Sequence, residues 1–383
     1  MRMSALLALV LLGAQLAGCA SSGTDGRGVS EASWAETVAA RGVDPARVPD
    51  PTAATPEMAE AAKRLAGPGT AAEKLWRLQQ ALVDRRDFGF DRQIGGTFTA
   101  AEAFREKRGN CVSFTNLFIA LGRSLGISLH ASIVKRRPES EKHGELVVIY
   151  SHMVAVRPRG SVSQVYDFWG QGSDPSAELV PLSDVEVAGI GFGNSGVGKL
   201  EAGDLSGASA DFATAVRLAP RLPGLWANLG LARWRTGDAE GALSAYGQGL
   251  AIDPGSPSVL QNLALLFSET GRPAEARAAL AAADSGETTP YSLIARAELE
   301  MAAGHLDEAL RLFNRVRKMA PKLVEPWVGI ARAERAMGHL DAAKKAALRA
   351  KRLAPSDPDV ARLLREIEGP ESGAPVPSPG RPL

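Results

Sequence analysis

Cysteine is scarce in this chain of 383 residues: it occurs only at positions 19 and 111, which excludes a framework of several disulfides. Long apolar runs are also missing after the amino-terminal leader, since no stretch approaches the ~20 residues needed to cross a bilayer. The chain has no excess of one charge, because 44 Lys and Arg balance 43 Asp and Glu. A net charge of +1 predicts no nucleic-acid binding. The composition is that of an ordinary globular protein, and the length allows two or three domains.

The first 18 residues are predicted to be a targeting segment that does not belong to the fold. Arg2 precedes an apolar run, and Leu16-Ala17-Gly18-Cys19 then resembles the bacterial lipobox, in which cleavage occurs before a cysteine that becomes lipidated. Because Ala20 follows and not Asp, the resemblance to diderm lipoproteins implies the outer membrane, facing the periplasm. The alternative is an ordinary secretory signal. Residues 19–69 are assigned to a flexible tether and an amino-terminal segment of no evident role.

Cys111 stands where a helix is predicted to begin. If Cys19 carries lipid, Cys111 is the only free thiol in an oxidising compartment, which points either to use or to deep burial. Gly109 and Asn110 read as a turn, and Gly126 as the stop of the helix. One buried face is predicted from the spacing of Phe114, Leu117, Phe118, Leu121 and Leu125. A sulfur in the first helical turn lies near unpaired N–H groups, which favour the reactive thiolate.

The surrounding sequence predicts an α+β domain over residues 70–188. Two capping boxes, Thr70 to Glu73 and Thr99 to Glu102, open helices before the one at Cys111. After that helix the apolar period changes to two, which predicts strands over 129–134, 146–156 and 162–169, with a turn at 157–160. Helices followed by antiparallel strands are typical of the α+β class.

Three residues in this domain could form a catalytic triad. Strand alternation places His152 on the face of Val154, and Asp167 on the face of Val165. Antiparallel pairing would make His152 and Asp167 neighbours, and the helix that presents Cys111 need only pack on this sheet. Cys111 would then be the nucleophile, His152 the general base and acid, and Asp167 the group that orients the imidazolium.

These residues resemble the transglutaminase-like superfamily, a circularly permuted relative of papain-like cysteine proteases. The resemblance rests on Gly109-Asn110-Cys111 at a helix start, on His152 in Ser-His-Met-Val-Ala-Val, and on Asp167 in Val-Tyr-Asp-Phe. It implies acyl transfer through a thioester: peptide or isopeptide hydrolysis, deamidation, or amide cross-linking. Many members carry an aromatic residue soon after the histidine, where this chain has Met153 and Val154. The superfamily also includes inactive members, some fused to tetratricopeptide repeats.

The carboxy-terminal half repeats itself. Glycines recur at intervals of 34, 34, 33 and 34 residues, each followed five positions later by alanine: Gly203, Gly237, Gly271, Gly304 and Gly338. This pattern resembles the tetratricopeptide repeat, in which small residues let paired helices approach and glycine turns between them. It predicts five repeats and a capping helix over 189–367, forming an all-α solenoid with a groove for a protein or peptide partner. A disordered proline-rich tail is predicted over 368–383.

No cofactor or metal site is predicted, because no ligand spacing joins the remaining histidines at positions 130, 143, 305 and 339. These four are expected to be structural or solvated. Residues 305–365 carry 14 Lys and Arg against 7 Asp and Glu. This excess is expected to be a solvated outer helix face, and the alternative is a surface that meets an acidic partner or anionic lipid.

Two functions remain open from the sequence. In the first, the protein is a lipid-anchored transglutaminase-like cysteine hydrolase or acyltransferase whose repeats recruit a protein substrate. In the second, the cysteine domain is inactive and the protein is an assembly or binding scaffold of the cell envelope. The reactivity of the Cys111 thiol distinguishes the two, because a poised thiolate is alkylated below neutral pH and a buried structural thiol is not.

Overall fold

The computed structural model describes residues 31–93, 96–135, 139–143, 146–150, 152–159, 162–168, 178–284 and 290–368. The lipobox with Cys19, the strand end predicted at Trp169 and the tail beyond residue 368 lie outside these ranges. Within them, no helix has both the length and the apolar character of a membrane span. The chain divides into two compact units, residues 1–259 and 260–383.

The first unit opens with helices and continues with strands, as predicted for the α+β class. Its first helices are α1 (Glu31–Ala39), α2 (Pro56–Ala66), α3 (Ala71–Val83), α4 (Ala100–Glu106) and α5 (Cys111–Ser124). Its strands are β1 (Asp91–Arg92), β2 (Arg108–Gly109), β3 (His130–Lys135), β4 (Glu139–His143), β5 (Leu146–Tyr150), β6 (Met153–Arg159), β7 (Val162–Tyr166) and β8 (Glu178–Leu182). Strands β7, β6, β3 and β8 form an antiparallel sheet in that order, β4 pairs with β5, and β1 with β2.

The strand predicted over 146–156 is wrong as a single element. Its first part, β5, pairs with β4 in a separate hairpin, whereas its second part, β6, lies between β7 and β3 in the main sheet. The predicted turn at 157–160 also differs, because β6 continues to Arg159 and pairs there with Val162. Pro158 fits inside this strand because the pairing of β6 with β3 ends at Val156, so its missing N–H interrupts no ladder on that side.

Helix α5 lies at the centre of the α/β part. The capping boxes predicted before it are present at α3 and α4. The residues from Val112 to Gly122 are all buried, so α5 is covered around its circumference and not on one face alone. Strand β6 covers one side, while α2, α3 and α4 contact the others. Met58 and Ala62 of α2 belong to this core, so part of the segment left without a role is structural.

The remaining helices form five pairs and a cap. They are α6 (Asp184–Glu201), α7 (Leu205–Leu218), α8 (Pro223–Arg235), α9 (Ala239–Ile252), α10 (Pro257–Glu269), α11 (Pro273–Asp284), α12 (Pro290–Ala302), α13 (Leu306–Met319), α14 (Glu325–Ala336), α15 (Leu340–Leu353) and α16 (Pro358–Glu368). Each phased glycine has a positive φ, between 72° and 88°, in the turn between the two helices of its pair. Such angles are open to glycine at little steric cost, which explains the repeat period.

Close packing within a pair depends on a second kind of glycine. Tyr246 of α9 is 1% exposed and lies against Gly230 of α8. A Cβ atom at Gly230 would lie 2.3 Å from Cε1 of the Tyr246 ring. The aromatic residue on one helix therefore requires the small residue on the other. At the start of α6, Asp184 accepts a 2.6 Å hydrogen bond from Arg123 of α5, which fastens the first repeat to the α/β core.

Candidate active site

The start of α5 fixes the position of Cys111. Asn110 is the N-cap, and its side-chain oxygen accepts a 3.1 Å hydrogen bond from the Ser113 backbone N–H. Cys111 is the first residue of the helix and is half-buried. Gly109 before it has φ of +148°, and a Cβ there would lie 2.5 Å from Cβ of Ser113. The turn that delivers the thiol to the helix start therefore requires glycine, as the sequence indicated.

His152 and Asp167 meet at the ends of two neighbouring strands. His152 directly precedes β6, and Asp167 directly follows β7. Because β6 and β7 are antiparallel, the start of one lies beside the end of the other. His152 Nε2 donates to Asp167 Oδ1 at 2.8 Å, and the two side chains are 21% and 7% exposed. The Cys111 side chain lies close enough to His152 to influence the pKa of its imidazole.

The surroundings of His152 favour its charged form. Burial opposes the charge and lowers the pKa, but hydrogen bonds to Asp167 and Cys111, together with their charges, outweigh burial and raise the pKa of His152 to about 9. At neutral pH the imidazole is therefore protonated between a carboxylate and a sulfur. This arrangement is suited to holding a thiolate–imidazolium pair.

Comparison with known families agrees with this geometry. Residues 59–159 match the transglutaminase-like superfamily. The chain carries a transglutaminase-like domain. Tetratricopeptide-repeat descriptions match residues 196–257, 233–297 and 300–367, so the helix pairs are tetratricopeptide repeats. The transglutaminase-like match includes Cys111 and His152 and ends before Asp167. A search of curated proteins found no match.

Several solved structures are similar to about half of the chain. PilW, a type IV pilus biogenesis factor, has 18% identity over 47% of this chain and 84% of its own, with a TM-score of 0.43. The pilF protein of Pseudomonas aeruginosa has 16% identity, covers 49% and 86%, and has a TM-score of 0.43. A tetratricopeptide repeat protein from Parabacteroides merdae has 21% identity, covers 47% and 72%, and has a TM-score of 0.39.

The three candidate residues of the transglutaminase-like domain come together for a different reason from the one predicted. Val154 and Val165 face away from α5, in a separate apolar cluster on the other side of the sheet. A residue on their face would point away from Cys111, so the predicted face assignment is wrong. His152 and Asp167 can pair with each other beside Cys111 because both lie just outside their strands, where alternation no longer applies.

Two side chains that the sequence analysis missed hold the end of β7. Gln79 of α3 donates from Nε2 to the main-chain oxygen of Asp167 at 3.1 Å. Arg92 of β1 donates from Nη1 to the main-chain oxygen of Phe168, also at 3.1 Å. The main chain of His152 is fixed in turn, because its oxygen accepts a 2.9 Å bond from the N–H of Val134. No periodic signal could have identified Gln79 or Arg92, since they act on backbone oxygens distant in sequence.

Thr97 is a third residue that the sequence did not reveal. Its hydroxyl accepts a 2.7 Å hydrogen bond from Asn110, the cap of α5, and a 2.8 Å bond from Asn194 of α6. The first helix of the repeats is thus hydrogen-bonded to the loop that supports the nucleophile. The transglutaminase-like domain and the first repeat share one local network.

The remaining histidines have other surroundings or lie in other elements. His305 pairs with Glu300 at 2.7 Å and His339 with Glu334 at 2.9 Å, each beside a phased glycine. His130 lies in β3, where burial and then the nearby Arg123 lower its pKa. His143 lies in β4. Among the residues that the structure describes, no group of three or more His, Cys, Asp or Glu is placed to hold a metal ion.

Proposed function

We propose that the transglutaminase-like domain catalyses acyl transfer at amide bonds, through a thioester on Cys111, and that the repeats recruit the protein on which it acts. The observation that supports this most strongly is the 2.8 Å bond between His152 and Asp167, with Cys111 near enough to raise the pKa of the same imidazole. A buried structural cysteine would need no charged imidazole beside it. Here His152 is fixed by a carboxylate that is itself almost fully buried.

The proposed reaction has two steps. The Cys111 thiolate attacks the amide carbonyl carbon, the C–N bond breaks, and His152 protonates the departing amine. Water or a second amine then attacks the thioester, gives a proton to His152, and releases the acyl group as an acid or a new amide. Because Nε2 of His152 is held by Asp167, Nδ1 is the nitrogen left to exchange protons at the sulfur. Asp167 keeps that orientation throughout.

The start of α5 provides a donor for the negative charge that develops on the carbonyl oxygen. The first N–H groups of a helix have no partner within it. Asn110 satisfies the N–H of Ser113, and the N–H of Cys111 lies earlier in the same turn. We assign the Cys111 N–H as one oxyanion donor, since it adjoins the nucleophile and carries the positive end of the helix dipole.

The rate of iodoacetamide labelling of Cys111 as a function of pH tests this proposal. We expect rapid labelling below neutral pH, because the His152 imidazolium stabilises the thiolate. His152→Ala should slow labelling in that range by about tenfold or more, since each ~1.4 kcal/mol lost from the pair costs a factor of ten. Mass spectrometry after incubation with glutamine-containing peptides should show an acyl adduct on Cys111, absent from Cys111→Ala.

His305→Ala is the matched control, since His305 also pairs with a carboxylate, that of Glu300, but lies in the fourth repeat. It should label like the native protein. If the native thiol behaves like free cysteine, with a midpoint near about 8.5, and His152→Ala changes nothing, the active triad is excluded. The scaffold function would then stand, with recruitment by the repeats as its whole activity.

The proposal includes membrane attachment through lipid on Cys19, at the outer membrane and facing the periplasm. It is supported by the lipobox from Leu16 to Cys19 and by Ala20 after it. Cys19→Ala should abolish incorporation of a labelled fatty acid and block cleavage at the normal site. Unchanged membrane partitioning together with an unchanged mature mass would contradict the anchor and leave the catalytic proposal unaffected.

A further inference from the structure

Two arginines lie over one tryptophan in the last two repeats. The guanidinium carbon of Arg317, in the last turn of α13, is 5.1 Å from the ring centre of Trp327 in α14. That of Arg349, near the end of α15, is 5.8 Å from the same ring centre. All three side chains are half-buried. Stacking on the ring holds both planar guanidinium groups in place and offsets part of their mutual repulsion.

The site contains two buried hydrogen-bond donors that have no acceptor among the residues that the structure describes. In the second repeat, the equivalent Trp226 donates from Nε1 to the main-chain oxygen of Pro220 at 2.8 Å. Trp327 has a proline at the same spacing, Pro321, yet its buried Nε1 has no partner in the described chain. The buried Nε of Arg317 likewise has none there. Unpaired buried donors are costly, and an acceptor from another molecule would satisfy them.

The other repeats show that the fold does not require these charges. Counted from the phased glycines, the positions of Arg317 and Arg349 around Trp327 correspond to Val216 and Gln248 around Trp226. The stretches 315–319 and 349–353 each carry three cations. The equivalent stretches 214–218, 248–252 and 282–286 carry one cation, none, and one acid. Cations near the carboxy-terminal end of a helix stabilise it through the helix dipole, but three repeats form without such a cluster.

The cations of these two stretches, 315–319 and 349–353, differ from their neighbours in their ion pairs. Neighbouring basic residues do: Arg311 pairs with Glu308, Arg335 with Glu366, and Lys344 with Glu368. Within the described residues, no ion pair involves Arg317, Lys318, Arg349 or Arg352. The positive charge at these positions is therefore not neutralised by ion pairs within the described part of the repeats.

We propose that this surface, the basic edge formed by Arg317, Trp327 and Arg349, binds an acidic segment of a protein partner. Stacked arginines present a fixed fork that matches a carboxylate, and Trp and Arg are the residue types that dominate protein interfaces. Binding to anionic lipid, by contrast, would need only mobile lysines exposed to water, and not arginines that are held in place on a ring. The chain's own tail, residues 369–383, has one Glu and one Arg and offers no complementary charge. The inference rests on the recruiting role in the proposed function, not on the chemistry at Cys111.

Binding of a fluorescent octaglutamate peptide to the purified full-length protein tests the basic edge, with octaglutamine as the uncharged comparison. The native protein should bind octaglutamate alone, and salt should weaken binding because the contact is ionic. The double variant Arg317→Gln and Arg349→Gln should lose affinity by about tenfold or more. Trp327→Phe keeps a ring but removes the Nε1 donor, and should lose affinity by about threefold.

The matched control is Arg332→Gln with Arg365→Gln, which removes the same charge from exposed positions of the same unit. It should bind like the native protein, and circular dichroism should show all variants folded. No saturable octaglutamate binding, or equal losses in test and control variants, would overturn the proposal. So would binding to phosphatidylglycerol vesicles that depends on the Arg317 and Arg349 pair without peptide binding. Repeating the measurement in Cys111→Ala separates it from the catalytic proposal, since that variant should bind octaglutamate normally.

Discussion

The transglutaminase-like domain and the repeats carry their functional residues in opposite ways. In the first, the candidate residues Cys111, His152 and Asp167 come from a helix start and two strand ends, which are elements that do not repeat along the described part of this domain. In the repeats, each position recurs five times with an almost constant period. The repeats therefore provide an internal comparison. The hydrogen bond of the Trp226 indole shows which contact the fold itself provides at the position of Trp327.

This difference decides which evidence reveals a site. In a repeat, a departure from the other copies is informative because the packing requirement is already known from them. In the transglutaminase-like domain, a residue's role emerges only from contacts, such as the 2.8 Å bond between His152 and Asp167. A test of the transglutaminase-like domain should therefore break a contact. A test of the repeats should compare equivalent or neighbouring positions.

The largest expected effect follows from breaking the contact at Asp167. Asp167→Asn keeps the shape but removes the negative charge, so the pKa of His152 should fall from about 9 toward its ordinary range. Fewer molecules then hold the thiolate–imidazolium pair, and turnover should fall by about 10²-fold or more. NMR titration of the His152 ring and the rate of acyl-adduct formation on Cys111 measure the two effects.

The same substitution should change how stability depends on pH. Because the pKa of His152 is raised on folding, its pairing stabilises the native state fully below about 6.5, and this contribution is lost as pH rises through about 9. Asp167→Asn should remove most of that loss. Asp238→Asn is the control, because it changes an exposed helix cap and Asn caps about as well as Asp. Equal pH profiles in the native protein and Asp167→Asn would contradict the charged pair.

Much of the fold could be predicted because it depends on local signals. The capping boxes at Thr70 and Thr99, the turn at Gly109 and the phased glycines act over a few residues, and each is found where the sequence placed it. Strand pairing depends on partners distant in the sequence. Strands β4 and β8 were therefore missed, and β5 was joined to β6 although the two belong to different sheets.

The candidate site could be predicted only in part. Residue type and order led to the prediction of Cys111, His152 and Asp167, but strand alternation placed the last two on the wrong face, because neither lies within a strand. Gln79, Arg92 and Thr97 could not be found, since their partners are main-chain oxygens and amides brought close by the tertiary fold. A sequence pattern carries no record of such contacts.

A smaller effect is expected when two glycines of one repeat are replaced, which tests whether a buried aromatic ring requires glycine on the facing helix. Gly230 lies against the buried ring of Tyr246, whereas a Cβ at Gly247 would meet nothing within 4 Å. Gly230→Ala should lower the free energy of unfolding by about 1–3 kcal/mol, because the ring has no room to move. Gly247→Ala should raise it by about 0.5–1 kcal/mol, since alanine favours the helix interior. Urea unfolding followed by circular dichroism measures both changes. If the two substitutions change the free energy of unfolding in the same direction, Gly230 is not needed for the close approach of the paired helices.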